Sequence, residues 1–256
     1  VTTSEAFSSV QVTRLEVGLA ALRLYREAAR LRVVLGVRPD EAFRGTYISH
    51  DDLNRIITSG STMDVVMDRR LPIPEDLASL DSSIFEVERA LHAARTAASP
   101  GDRWLRLATR LELSHAAQAL LALAVACAVD PALERLCAYL NDDVQRRRPT
   151  LDLGLRMLAR DLWDRGQLLG EFDPRSPLLA WSLVRVDPGS SERVGSPLHR
   201  SFEVEPRILS YLLGDSRVER ELQPWIAGRE VFGHDNAIPD DILARCASLG
   251  APGEPR

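Results

Sequence analysis

Apolar positions recur at helical spacing through residues 11–35. Leu15, Leu19, Leu22, Arg26 and Ala29 form one stripe, and Glu16, Arg23, Glu27 and Arg30 form another. The pattern predicts a helix that turns the first stripe inward and stops at Gly36 and Pro39. Ser49, with Asp52 three residues on, has the form of a capping box that opens a short helix through Leu53, Ile56 and Ile57. Gly60-Ser61-Thr62 and the Pro72/Pro74 pair mark loop. A longer helix is predicted over residues 76–98, with Leu77, Leu80, Ile84, Val87 and Leu91 facing in. Ser99-Pro100-Gly101 is the clearest internal break, and a domain boundary is expected there.

Beyond that break residues 104–111 read as helical. Ser114 suits the N-cap of a very apolar helix through residues 120–129, and a helix apolar on most faces belongs in a core. Asp130-Pro131 opens the next helix, with Leu133, Leu136 and Leu140 on one face. Arg146-Arg147-Arg148-Pro149 is loop, and Thr150 caps a third helix carrying Leu151, Leu155, Leu158 and Leu162. Three short helices in this order match a helix-turn-helix core. The apolar period then shortens to that of a strand. Residues 180–186 and 198–205 are strand candidates around Trp181 and Phe202, separated by the turn residues Asp187-Pro188-Gly189-Ser190-Ser191. The pair reads as a single hairpin, the wing. A helix over 206–213 follows, begun by Pro206 and ended by Gly214, and residues 215–226 continue helically. After a short helical piece at 240–249 the chain ends in Pro/Gly-rich residues of linker composition. The expected fold class is mainly α. It comprises an N-terminal helical region (1–98), a winged-helix domain with one small β-hairpin (99–226) and a tail (227–256).

Composition agrees with a packed helical chain. The 256 residues are 45% hydrophobic, enough to fill a core, and only 5% aromatic, which favours helices packed by Leu and Ala over a β-sandwich. A net charge of −5 gives no global attraction to nucleic acid or to an anionic membrane. No apolar run approaches the length of a membrane span, and the first residues lack the basic and apolar regions of a signal peptide. Cys127, Cys137 and Cys246, without C-x-x-C spacing, read as buried thiols rather than a disulfide framework or a zinc site. A reducing, cytoplasmic compartment is expected. All 32 basic residues are Arg. That usage suggests a GC-rich genome, and it removes P-loop Lys, Schiff-base and Lys general-base chemistry.

Three stretches carry a family likeness. They read F-R-G-T-Y-I-S-H-D-D-L-N-R-I-I over 43–57, A-V-D-P-A-L-E-R-L-C-A-Y-L-N-D-D over 128–143, and S-P-L-H-R-S-F-E-V-E-P-R-I-L-S-Y-L-L-G over 196–214. With the segments between them they resemble the N-terminal winged-helix region of bacterial AAA+ ATPases, some of which are encoded with extracellular contractile injection systems. The resemblance covers most of residues 10–225 and rests on hydrophobic and turn patterns. His115 departs from it, standing where the family often has Pro. What the resemblance implies is a missing C-terminal module that binds ATP and Mg and assembles a homo-oligomeric ring. This chain would be its non-catalytic front end, docking a protein partner or substrate. The resemblance implies no active-site residues here.

The residues themselves point away from catalysis. His50, His92, His115, His199 and His234 form no metal-binding signature. His50-Asp51-Asp52 lies at a predicted helix start, where carboxylates are favourable in their own right. Ser190, Ser191 and Ser210 lack a nucleophile-elbow context. No G-x-x-x-x-G-K-[ST] occurs, and no P-loop precedes the Walker B-like run at 63–68. No catalytic, cofactor or metal residue is therefore expected. A DNA-binding regulator is the alternative, and it is disfavoured. Residues 101–214 hold 15 Arg against 15 Asp plus Glu, whereas DNA affinity depends on neutralising phosphates. The predicted third helix carries Asp152 and Asp161, and only Arg156 and Arg160 could read bases. The remaining readings are a protein-docking module and an inert spacer. For docking, the candidate interface is Arg146, Arg147, Arg148, Arg156 and Arg193, combining the loop before the third helix with the wing tip at 187–193.

Overall fold

A computed structural model of the chain describes residues 10–35, 76–97, 101–187, 196–215 and 217. The chain divides into two units, Val1–Asp215 and Ser216–Arg256, and every described element lies in the first. The capping box at 49–52, the run at 63–68, the helix expected at 240–249, most of the wing tip, and all of the helical continuation expected at 215–226 except Asp215 and Arg217, which are not helical, lie outside the described residues.

The unit is mainly helical, with one small antiparallel sheet. Two long helices come first, α1 (Gln11–Leu35) and α2 (Leu77–Ala97). Then follow α3 (Arg103–Arg110), α4 (His115–Val129), α5 (Pro131–Leu140), α6 (Leu151–Leu158), α7 (Leu162–Gly170) and the short α8 (Pro177–Ala180). Strands β1 (Val184–Val186) and β2 (Phe202–Val204) and helix α9 (Pro206–Leu212) complete it.

α4 is the centre. Ser114 caps it by accepting from the Ala117 N–H at 2.9 Å, and ten of its fifteen residues are buried. An apolar helix of this kind needs covering on every side, and α1, α5, α6 and β2 all pack on it. Asp130 ends α4 and caps α5, accepting from the Ala132 N–H at 2.8 Å with Pro131 in the first turn. That one residue turns the chain by 116° between the two helices. No single described helix is long and apolar enough to cross a membrane.

α1 departs from the expected two-sided pattern. Its middle is buried nearly all round, and Glu16 and Glu27, expected on a polar face, are inside. The cause is tertiary: α2 lies along α1 while α4 and α5 pack on it as well. Both carboxylates are met by cations, as buried charges must be. Arg95 of α2 donates to Glu16. Arg30 donates to Glu27 at 2.7 and 2.8 Å, and Arg156 of α6 lies 3.4 Å from it. The helices before and after Ser99-Pro100-Gly101 thus share one hydrophobic core.

Candidate functional site

The strand register shows how the winged region is assembled. β1 and β2 pair antiparallel, Val184 opposite Val204 and Val186 opposite Phe202. Both expected strands are shorter than their apolar patterns. Residues 177–180 form a helical turn, and residues 197–199 form a 3-10 turn in front of β2. A third segment joins on the free edge of β2. Thr150 bridges Ser201, Phe202 N–H donates to Pro149 O at 2.9 Å, and Leu151 N–H donates to Arg200 O at 3.0 Å. The order is therefore residues 149–151, β2, β1, with α6, α7 and α8 inserted between the first and last of these.

That insertion corrects the expected third helix. The Thr150 cap is present, accepting from Leu153 N–H at 3.2 Å, but the helix stops at Leu158. Ala159 is extended, at φ −77 and ψ 129. Asp161 then starts α7, accepting from Asp164 N–H at 2.8 Å. α6 and α7, separated by residues 159–161, are the helix-turn-helix, and α7 holds the position of its second, recognition helix. Gly154 lets α6 sit deep in the core, since a Cβ there would meet Leu120 at 3.0 Å and the Phe202 ring at 3.8 Å.

The outer face of α7 is apolar apart from Gln167. Leu162 is 84% exposed, Trp163 75% and Leu169 39%, while Leu168 anchors the helix inward. Its two charged side chains are already engaged. Asp164 accepts from Arg160 Nε at 2.8 Å, and Arg165 reaches Asp152 of α6 at 3.0 Å. The Arg160 guanidinium holds the Asp164 carboxyl below its ordinary range. Around the hairpin the cations are engaged too. Arg185 lies 2.8 Å from Glu205, and Arg200 Nε donates to Asp187 O at 2.7 Å.

Four of the five residues singled out from sequence are described, and three of them are engaged within the module. Arg156 is a clamp: it donates to Leu140 O at 2.8 Å and lies 3.1 Å from Asp152 and 3.4 Å from Glu27. Arg146 pairs with Asp143 at 3.1 Å and Arg148 with Glu203 of β2 at 2.8 Å. Arg147 is exposed and makes no ion pair among the described residues. Asn141 holds this loop closed, donating to Arg146 O at 2.9 Å and Arg148 O at 3.0 Å and accepting from Thr150 Oγ1 at 2.9 Å. Arg193 lies outside the described residues. The residues that sequence reasoning missed are Leu162, Trp163 and Leu169. Their signal was Asp161 with Asp164 three residues on, a cap pattern that places a Leu-Trp pair at the start of a new helix.

A cleft of about 710 Å³ opens where α1, α2 and α4 meet the α6–α7 corner. Its size falls in the range of small-molecule sites. Each of its arginines is already paired, Arg23 with Glu88 at 2.9 Å, Arg160 with Asp164 at 2.8 Å, and Arg95 with Glu16. Arg95 also donates to Gln118 Oε1 at 2.9 Å and lies 3.3 Å from His115 Nδ1. Among the described residues no group of three His, Cys, Asp or Glu could hold a metal.

Burial raises the Glu16 carboxyl above its ordinary 4.5, and the hydrogen bond and charge of Arg95 only partly offset this. A carboxyl raised by folding contributes stability in its neutral form, and that contribution is lost as pH rises through the folded value. Relative to Glu16→Gln, the wild-type chain is therefore expected to gain stability as pH falls from neutral through the raised folded value toward the ordinary 4.5. Urea midpoints of both proteins across that range test this, and a wild-type disadvantage that grows toward low pH would contradict it.

A helix-turn-helix followed by a two-stranded hairpin, with the segment before the first helix on the hairpin's outer edge, defines a winged-helix protein. A family model described as "Winged helix domain, variant" matches residues 62–226, and the chain belongs to that family. No curated protein and no solved structure matches it. Winged helices bind either DNA or protein, so the choice rests on the surface that α7 presents.

Proposed function

We propose that this chain is a non-catalytic docking module that recruits a protein partner, with α7 as the contact helix. One observation carries the reading. The helix in the recognition position exposes Leu162, Trp163 and Leu169, while its charges are paired within the module. DNA-binding helices need cations free to meet phosphate and polar side chains aimed at base edges. Protein interfaces instead centre on apolar anchors, Trp prominent among them, ringed by polar residues. Exposed Trp181, at 55%, adds to the apolar surface of the unit.

The sequence resemblance to AAA+ ATPase N-terminal regions gives this docking a setting. In that setting the module stands ahead of an ATP-driven ring in the bacterial cytoplasm and delivers proteins to it. ATP and Mg would belong to the ring and not to this chain. Duplex DNA binding is expected to be weak and without sequence preference. Fluorescence anisotropy against a random oligonucleotide pool at physiological salt is the test. Selection of one motif at nanomolar affinity would replace this reading with a DNA-binding regulator.

A further inference from the structure

The fold brings together two cysteines that the sequence spacing leaves apart. Cys127, in the last turn of α4, and Cys137, in α5, are ten residues apart across the Asp130 corner, and their Sγ atoms lie 3.3 Å from each other. Both are buried free thiols. A disulfide bond is about 2.05 Å long, so the sulfurs need approach by only a little over an ångström. The corner itself is held by the Asp130 cap and by the packing of α4 on α5, so the pair is preset by the backbone rather than by chance encounter.

We propose that Cys127 and Cys137 are a modification site, closing a reversible disulfide that locks the α4–α5 corner when the chain meets a two-electron oxidant such as hydrogen peroxide. One thiol loses its proton and attacks a peroxide oxygen. The O–O bond breaks, and the departing hydroxide takes up the proton as water. The second sulfur, giving up its own proton, attacks the sulfenic sulfur so formed. The S–O bond breaks, the S–S bond forms and a second water leaves. The two electrons lost by sulfur reside in the two waters. The Cys127 thiol is held well above its ordinary range, first by its hydrogen bond with Cys137 and then by burial. Thiolate chemistry is therefore slow at neutral pH and quickens as pH rises. This makes the pair a recorder of sustained oxidation rather than a fast sensor.

The full chain carrying Cys246→Ser, which removes the third thiol, is the protein to test. It is treated with peroxide over hours at about pH 8, alkylated and digested with trypsin. Cleavage at Arg135 separates the two cysteines, so a disulfide appears as peptide 111–135 joined to peptide 136–146. The expected result is that joined pair, lost on treatment with dithiothreitol and absent from Cys137→Ser. A rise in Tm of roughly 5 °C for the oxidised chain should accompany it, because the closed loop restricts the unfolded state. Recovery of both thiols intact, or oxidation of each alone without the joined peptides, would overturn the proposal. So would a link that forms only after the chain has been unfolded in guanidinium.

Discussion

Arg95→Ala is expected to destabilise the chain by about 3–5 kcal/mol, because it strands a buried carboxylate. Glu16 is inside the core between α1, α2 and α4. Arg95 is the cation that meets it, and the same guanidinium serves Gln118, whose Oε1 also accepts from Trp104 Nε1 at 3.3 Å. Removing it leaves the Glu16 carboxyl with little water and without its cation, and Gln118 Oε1 with Trp104 as its remaining donor. A loss of roughly 10 °C in Tm should follow. Removing the charge as well should restore most of that loss, since a buried ion pair replaced by apolar residues is often neutral in sum. Glu16→Leu combined with Arg95→Met is the natural double variant. If Arg95→Ala alone costs less than about 1 kcal/mol, the network behaves as a surface pair and α2 is not tied to the winged core through it.

Leu162→Ala with Trp163→Ala is expected to have the opposite profile. These side chains face solvent, so stability should change by no more than about 0.5 kcal/mol. Partner affinity should fall by about 30-fold or more, the scale of losing an interfacial Trp anchor. Arg147→Glu, an exposed charge nearby in sequence to the α6 cap, should change association rate more than affinity. Equal circular dichroism and Tm for variant and wild type, with lost partner binding, is the expected pair of results. Unchanged binding would remove α7 from the interface.

Much of the architecture was legible because caps and periods agree. Ser114, Asp130 and Thr150 each cap the helix they announce, and Gly214, at φ +108, ends α9 where only glycine is comfortable. The break between α6 and α7 was hidden because Leu158 and Leu162 keep helical phase across it and no Gly or Pro marks the turn. A polar cap at Asp161 decides it, and such caps compete with helix continuation on small energy differences. The strands looked longer than they are because Trp181 and Leu198 alternate correctly with their neighbours yet lie in turns. The burial of Glu16 and Glu27 was invisible for a different reason. Which faces of α1 are covered depends on α2, α4 and α5 arriving together, which no local pattern records. The engagement of Arg156 was hidden for the same cause. Arg156 looks like an exposed helix cation in sequence and becomes a clamp only when Leu140, Asp152 and Glu27 surround it.

α7 is proposed to meet protein rather than DNA. A photo-crosslinking amino acid introduced in place of Trp163, in the protein within its native host, is the test. A discrete light-dependent adduct is expected that protease removes and nuclease does not, absent when the same group replaces exposed Ser82 on α2. An adduct removed by nuclease, or one equal at both positions, would contradict it.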